Sequence, residues 1–147
     1  MFLRKQQIIY KVLERKMKSI VLLVLMCMLP MCISCQNKQT FKSVNVDEFE
    51  KVMADTSYVL LDVRTATEYA EGHIPGTHFN IDVLQESFEN DALKVLGKGK
   101  KVALYCRSGN RSKNAARILS EKGFQVVELS TGFKGWKAAG KLSEVTE

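Results

Sequence analysis

Val102-Ala103-Leu104-Tyr105-Cys106-Arg107-Ser108-Gly109-Asn110-Arg111-Ser112 carries the decisive pattern in this 147-residue chain. Val102 to Tyr105 is an unbroken apolar run, as a buried strand reads. From Ser112 to Lys122 the spacing is helical, with Ala115, Ala116 and Leu119 on one face and Gly123 as the stop. The loop between them is short and polar. This is one strand-to-helix unit, and the rest of the chain repeats its alternation.

Downstream, Phe124–Leu129 reads as a strand and Phe133–Ala139 as a final helical turn or two. Upstream, Phe41–Val46 alternates apolar and polar residues, and Asp47 stands as the cap of a helix over Glu48–Met53. Tyr58–Leu61 is a buried run ending at Asp62. Thr67–Ala70 suggests a helical turn closed by Gly72, Pro75-Gly76 marks a turn, and His78–Ile81 reads as a short strand. Val83–Leu96 is loosely helical and is broken at Lys98-Gly99-Lys100. Strands alternating with helices imply an α/β layer fold with a mainly parallel sheet of about five strands. In such sheets ligands bind at the carboxyl ends of the strands. Asp62, Cys106 and Ser130-Thr131-Gly132 each end or follow a strand, so parallel strands gather them on one edge.

Composition is that of a globular chain, with 46% hydrophobic and 26% charged residues. The net charge of +6 is unevenly placed. Residues 1–34 hold six basic side chains against Glu14 alone, which leaves 16 basic and 15 acidic residues over 35–147. A nucleic-acid-binding surface therefore loses its support.

Basic residues precede the apolar run Ile20–Ile33, interrupted by Pro30. A bilayer crossing needs ~20 residues; this run fits the apolar region of a secretory signal. Ser34-Cys35 followed by polar Gln36–Gln39 resembles a bacterial lipoprotein junction, which implies lipidation of Cys35 and a periplasm-facing, membrane-anchored protein. Cys32 stands where leucine is usual in that motif. A signal cleaved without lipid and an uncleaved anchor are the competing readings. Met17-Lys18-Ser19 reads like a natural start, which would make the first 16 residues an over-extension. The organisation expected is a signal over 1–34, a tether over 35–40, a domain over 41–141 and a tail over 142–147. Cys27, Cys32 and Cys35 fall outside that domain, so Cys106 is its lone thiol, and no internal disulfide framework or C-x-x-C site exists there.

Cys106–Ser112 suits the chemistry of an anionic sulfur. A loop turning back toward a helix start points backbone N–H groups inward as a nest for negative charge. The helix end adds a partial positive charge of about half a unit. Arg107 and Arg111 add full charges that fork onto an oxyanion. Together they favour the Cys106 thiolate, and Gly109 permits a positive φ. The bland reading, a small apolar residue ending a strand, does not account for two arginines, a glycine and a helix start within six residues.

Three motifs resemble those of a single-domain rhodanese over residues 41–141. Leu61-Asp62-Val63-Arg64 with Glu68-Tyr69 and Gly72-His73-Ile74-Pro75-Gly76 is similar to the family's first signature, Cys106–Ser112 to its active-site loop, and Gly123–Val126 through Leu129, Gly132 and Trp136 to its closing motif. Thr131 departs from the usual glycine, and Thr77-His78-Phe79 from the usual small apolar residues. The resemblance implies a three-layer rhodanese-like fold and a sulfurtransferase. Cys106 would attack the outer sulfur of thiosulfate or a persulfide donor, and the Cys106 persulfide would pass that sulfur to cyanide, a small thiol or a thiol protein. Arg107, Ser108, Gly109, Asn110, Arg111 and Ser112 would bind substrate, without metal or organic cofactor. Asp62 and Arg64 are expected to brace the site, with Glu68 and Glu71 as their partners or solvated. His73 and His78 lack the company of a metal set, and Trp136 reads as a core anchor. The alternatives are a non-catalytic module binding sulfide species or a partner, and a cysteine enzyme of phosphate or arsenate. Four residues separate Cys106 from Arg111, whereas cysteine phosphatases use five; the smaller loop suits one sulfur, so phosphatase activity is expected to be negligible.

Overall fold

The computed structural model describes residues 13–18, 41–97 and 99–145. From residue 41 the elements are β1 (Lys42–Val44), α1 (Val46–Met53), β2 (Tyr58–Asp62), α2 (Ala66–Ala70), β3 (Phe79–Asn80), α3 (Phe88–Leu96), β4 (Lys101–Tyr105), α4 (Asn110–Glu121), β5 (Gln125–Leu129) and α5 (Gly132–Ala138). The five strands form one sheet in the order β1-β5-β4-β2-β3, and every pairing is parallel.

Successive strand residues point to opposite faces, so a run apolar at every position fills both. On one face Leu61, Val102, Leu104 and Val126 pack against Ala92 and Leu96 of α3 and Ala115, Ala116 and Leu119 of α4. On the other, Leu60, Ala103, Tyr105, Val127 and Leu129 meet Phe49 of α1 and Phe133 and Trp136 of α5. Burying each large side chain contributes about 1.5–3 kcal/mol. The three layers are thus already written in strands that do not alternate.

Three local boundaries differ from the sequence reading. The cap of α1 is Asn45, whose side chain accepts the Glu48 N–H at 2.9 Å, whereas Asp47 lies inside the first turn. The Val83–Leu96 stretch divides: residues up to Ser87 form turns, and the helix begins at Phe88. Finally, α4 starts two residues before Ser112. At the other end, His73 and Glu144 exchange backbone hydrogen bonds of 2.8 and 3.0 Å. Buried Trp136 donates its indole N–H to the Leu142 carbonyl at 2.7 Å.

Residues 13–18 are helical and belong to a separate unit. The apolar run Ile20–Ile33, the Ser34-Cys35 junction and the tether lie outside the described residues. Among the described residues, no helix is long and apolar enough to cross a membrane.

Candidate active site

Register brings the expected residues to one edge. Asp62 at the end of β2 pairs with Tyr105 at the end of β4, which places it beside the start of the Cys106 loop. Cys106 is buried, 1% exposed. Its Sγ accepts the Gly109 N–H at 3.2 Å and donates to Ser112 Oγ at 3.4 Å. Gly109 caps α4 with φ 94°, a conformation that brings its N–H round onto the sulfur. The sulfur therefore sits at the positive end of a 12-residue helix.

A second loop locks this one. The Phe133 and Lys134 N–H groups, at the start of α5, donate to the carbonyls of Cys106 at 2.7 Å and Arg107 at 2.9 Å. The two backbones approach so closely that side chains are excluded: a Cβ on Gly109 would lie 1.9 Å from the Ser130 carbonyl oxygen, and one on Gly132 would lie 2.5 Å from that of Cys106. Thr131, where a glycine was expected, has ordinary right-handed φ of −96° and needs none. Space for its side chain comes from Gly135, whose missing Cβ would sit 2.1 Å from Thr131 Oγ1. The other departure is equally accommodated. Thr77 Oγ1 donates to the Ile74 carbonyl at 2.6 Å, and His78 Nδ1 accepts the Leu60 N–H at 3.1 Å.

The two loop arginines are not equivalent. Arg107 is exposed and has no side-chain hydrogen bond among the described residues, as does Asn110. Arg111 grips both carboxylate oxygens of Glu68 at 2.8 and 2.7 Å. That hydrogen bond is the main cause holding the Glu68 carboxyl down to about 2, against some desolvation, and it raises Arg111 further. Glu68 is thus the partner of Arg111, where the sequence reading expected a partner of Asp62 and Arg64 or a solvated carboxylate. It also completes a capping box with Thr65, which fixes α2.

Asp62 and Arg64 are both buried and brace each other. Arg64 Nε lies 3.0 and 2.9 Å from the two Asp62 oxygens, and its Nη2 donates to the Gly72 carbonyl at 2.8 Å. Burial is the largest single influence and opposes the Arg64 charge, but the hydrogen bonds to Asp62 and the attraction of its charge together outweigh it, and the pKa rises. The guanidinium lies 4.3 Å over the Phe133 ring. Beside it opens a cavity of about 380 Å³, lined by Arg64, Glu68, Arg107, Phe133, Lys134 and Lys137 among others. His73 is turned elsewhere, with Nδ1 3.1 Å from the Tyr69 carbonyl and Nε2 3.2 Å from Glu144.

Sequence reasoning missed one residue here. Glu128 is fully buried in β5. Ser112 Oγ lies 2.9 Å from its Oε2, and the Ser43 hydroxyl of β1 donates to its Oε1. The signal was available: Val126-Val127-Glu128-Leu129 is an apolar run, broken by one carboxylate, in a strand covered on both faces. Such a group is found inside only when hydrogen-bonded.

Residues 45–139 match the model of the Rhodanese-like domain. A Bacillus subtilis protein named "Putative sulfurtransferase YtwF" is 38% identical over 93 residues, spanning 63% of this chain and 85% of that one. A sulfurtransferase of Allochromatium vinosum is 34% identical over 101 residues, spanning 66% of this chain and 89% of its own. Among solved structures, a rhodanese-related protein of Thermoplasma volcanium superimposes with a TM-score of 0.62 at 29% identity, covering 72% of this chain and all of its own. With the family model matching well over half the residues, and the all-parallel five-stranded sheet in common, the chain belongs to the rhodanese-like domain family.

Proposed function

We propose that the protein is a sulfurtransferase that works by double displacement through a Cys106 persulfide. The observation that carries this reading is the Cys106 sulfur itself, held at the N-terminus of α4 by the Gly109 N–H, with its neighbour Arg107 lining a cavity of mixed charge. An anion on this sulfur meets an inward N–H and the helix end. In the first half, the thiolate attacks the sulfane sulfur of thiosulfate or a persulfide donor. The S–S bond forms as the donor's bond breaks, and with thiosulfate the electron pair leaves on sulfite. Arg107 meets the donor's negative charge. In the second half, cyanide, a small thiol or a protein thiol removes the outer sulfur and regenerates the thiolate.

The test is mass spectrometry of freshly reduced protein treated with thiosulfate alone. Wild type should gain one sulfur atom and release sulfite before any acceptor is added, and cyanide should then strip it. Cys106→Ala should do neither. If wild type takes up no sulfur from thiosulfate or any persulfide donor, the loop is better read as an anion- or partner-binding module. We also propose, from the sequence around Ser34-Cys35, a lipid-anchored protein of the bacterial envelope.

A further inference from the structure

Glu128 has no part in the mechanism just described, yet it is the innermost member of a continuous chain. Cys106 Sγ lies 3.4 Å from Ser112 Oγ, and Ser112 Oγ lies 2.9 Å from Glu128 Oε2. All three residues are buried, with Ser112 and Glu128 at 0% exposure. The thiol donates to the serine oxygen, and the serine hydroxyl has one proton to give. That proton has two acceptors in reach, the Gly109 carbonyl at 2.9 Å and the carboxylate.

We propose that Cys106 and Glu128 share one proton through Ser112, so that Glu128 takes the thiol proton when the nucleophile forms. The Cys106 proton passes to Ser112 Oγ as the serine's own proton passes to Glu128 Oε2. A thiolate and a carboxylic acid replace a thiol and a carboxylate. The buried site carries one negative charge before and after, so no charge has to be taken out of water or returned to it. During turnover the proton stays on Glu128 while sulfur comes and goes. Glu128 touches no substrate and acts through Ser112, as a positioning residue.

Among the described residues, no charged side chain is hydrogen-bonded to or ion-paired with this carboxylate. On β1 it meets the Ser43 hydroxyl, on α4 the Ser112 hydroxyl, and in register on β4 it pairs with Leu104. Of the charges nearest the loop, Arg111 is bound to Glu68 of α2, and Arg107 is exposed. The apolar face around it holds Val126, Ala115 and Ala116.

The proposal rests on Cys106 being the nucleophile, but its test does not require sulfur transfer. The rate of iodoacetamide alkylation of Cys106 is followed against pH. Two groups sharing a proton titrate as a pair, so wild type should show two rises separated by a plateau. Glu128→Gln keeps the shape and removes the acceptor; it should show one rise and react roughly tenfold or more slowly across the wild-type plateau. Ser112→Ala leaves Glu128 in place but breaks the chain, and it should give the same single rise. The double variant should be no slower than either single one. Should Glu128→Gln fail to fold, the wild-type profile and Ser112→Ala carry the decision. A single rise in wild type, or wild-type rates and profile in both variants, overturns the proposal. Loss of sulfur uptake with these profiles intact would instead sink the sulfurtransferase reading alone.

Discussion

Arg111 belongs to the Cys106 loop and is held by its ion pair with Glu68, whose hydrogen bond is the main reason its pKa rises. Removing it with Arg111→Ala leaves Glu68 without its partner and takes one guanidinium from the Cys106 loop. Sulfur loading should slow by about ten- to hundredfold, the equivalent of one charge-assisted hydrogen bond; single-turnover loading with thiosulfate measures it. Glu68→Gln separates the two roles. The Glu68 carboxyl sits at about 2 in the folded chain against an ordinary 4.5. Because the folded value is depressed, its stabilisation is complete above about 4.5 and fades as pH falls toward 2. Wild type should therefore lose this contribution across that window, while Glu68→Gln has already lost it at neutral pH, at a cost of about 1 kcal/mol. Urea midpoints measured from pH 6 to pH 2 should converge for the two proteins. A gap that stays constant to pH 2 would deny Glu68 that role.

At the scale of elements, the site depends on how closely the β4–α4 and β5–α5 loops interlock. Gly132→Ala, with φ 60° and a carbonyl 2.5 Å from the new methyl group, should cost roughly 2–4 kcal/mol and displace Cys106. Gly135→Ala collides with Thr131 instead, and Thr131→Gly should restore much of the lost stability in the double variant; thermal unfolding of the four proteins reports both effects. These contacts also show where the sequence was legible. Val102–Tyr105 and the helix behind it were, because burial on two faces and a 3.6-residue period leave direct marks on residue type. The carboxyl-edge gathering of Asp62 and Cys106 followed from parallel strands alone. Glu68 with Arg111 was not legible, since they lie 43 positions apart and only the packing of α2 against the loop makes them neighbours. Asn45 was missed as a cap because Asp47, two residues on, offers the same chemistry. Glu128 was visible as an exception and passed over. Thr131 looked like a defect until Gly135 was seen to make room for it.

For the molecule as a whole, the apolar N-terminal segment and Cys35 bear on where it works. Cys35→Ala should release the domain into the soluble fraction and leave sulfur loading of the purified protein unchanged; retention in carbonate-washed membranes would favour an uncleaved anchor. The sheet itself has a further consequence. Its two borders are its two shortest strands, β1 with three residues and β3 with two. The long apolar strands β2, β4 and β5 are all interior, hydrogen-bonded on both sides. Among the described residues, the sheet's borders offer a neighbouring molecule stretches of two and three residues to pair with, a short template for a growing fibre. Concentration on a surface, which would bring many copies within reach of one another, is a condition this arrangement of strands is suited to survive.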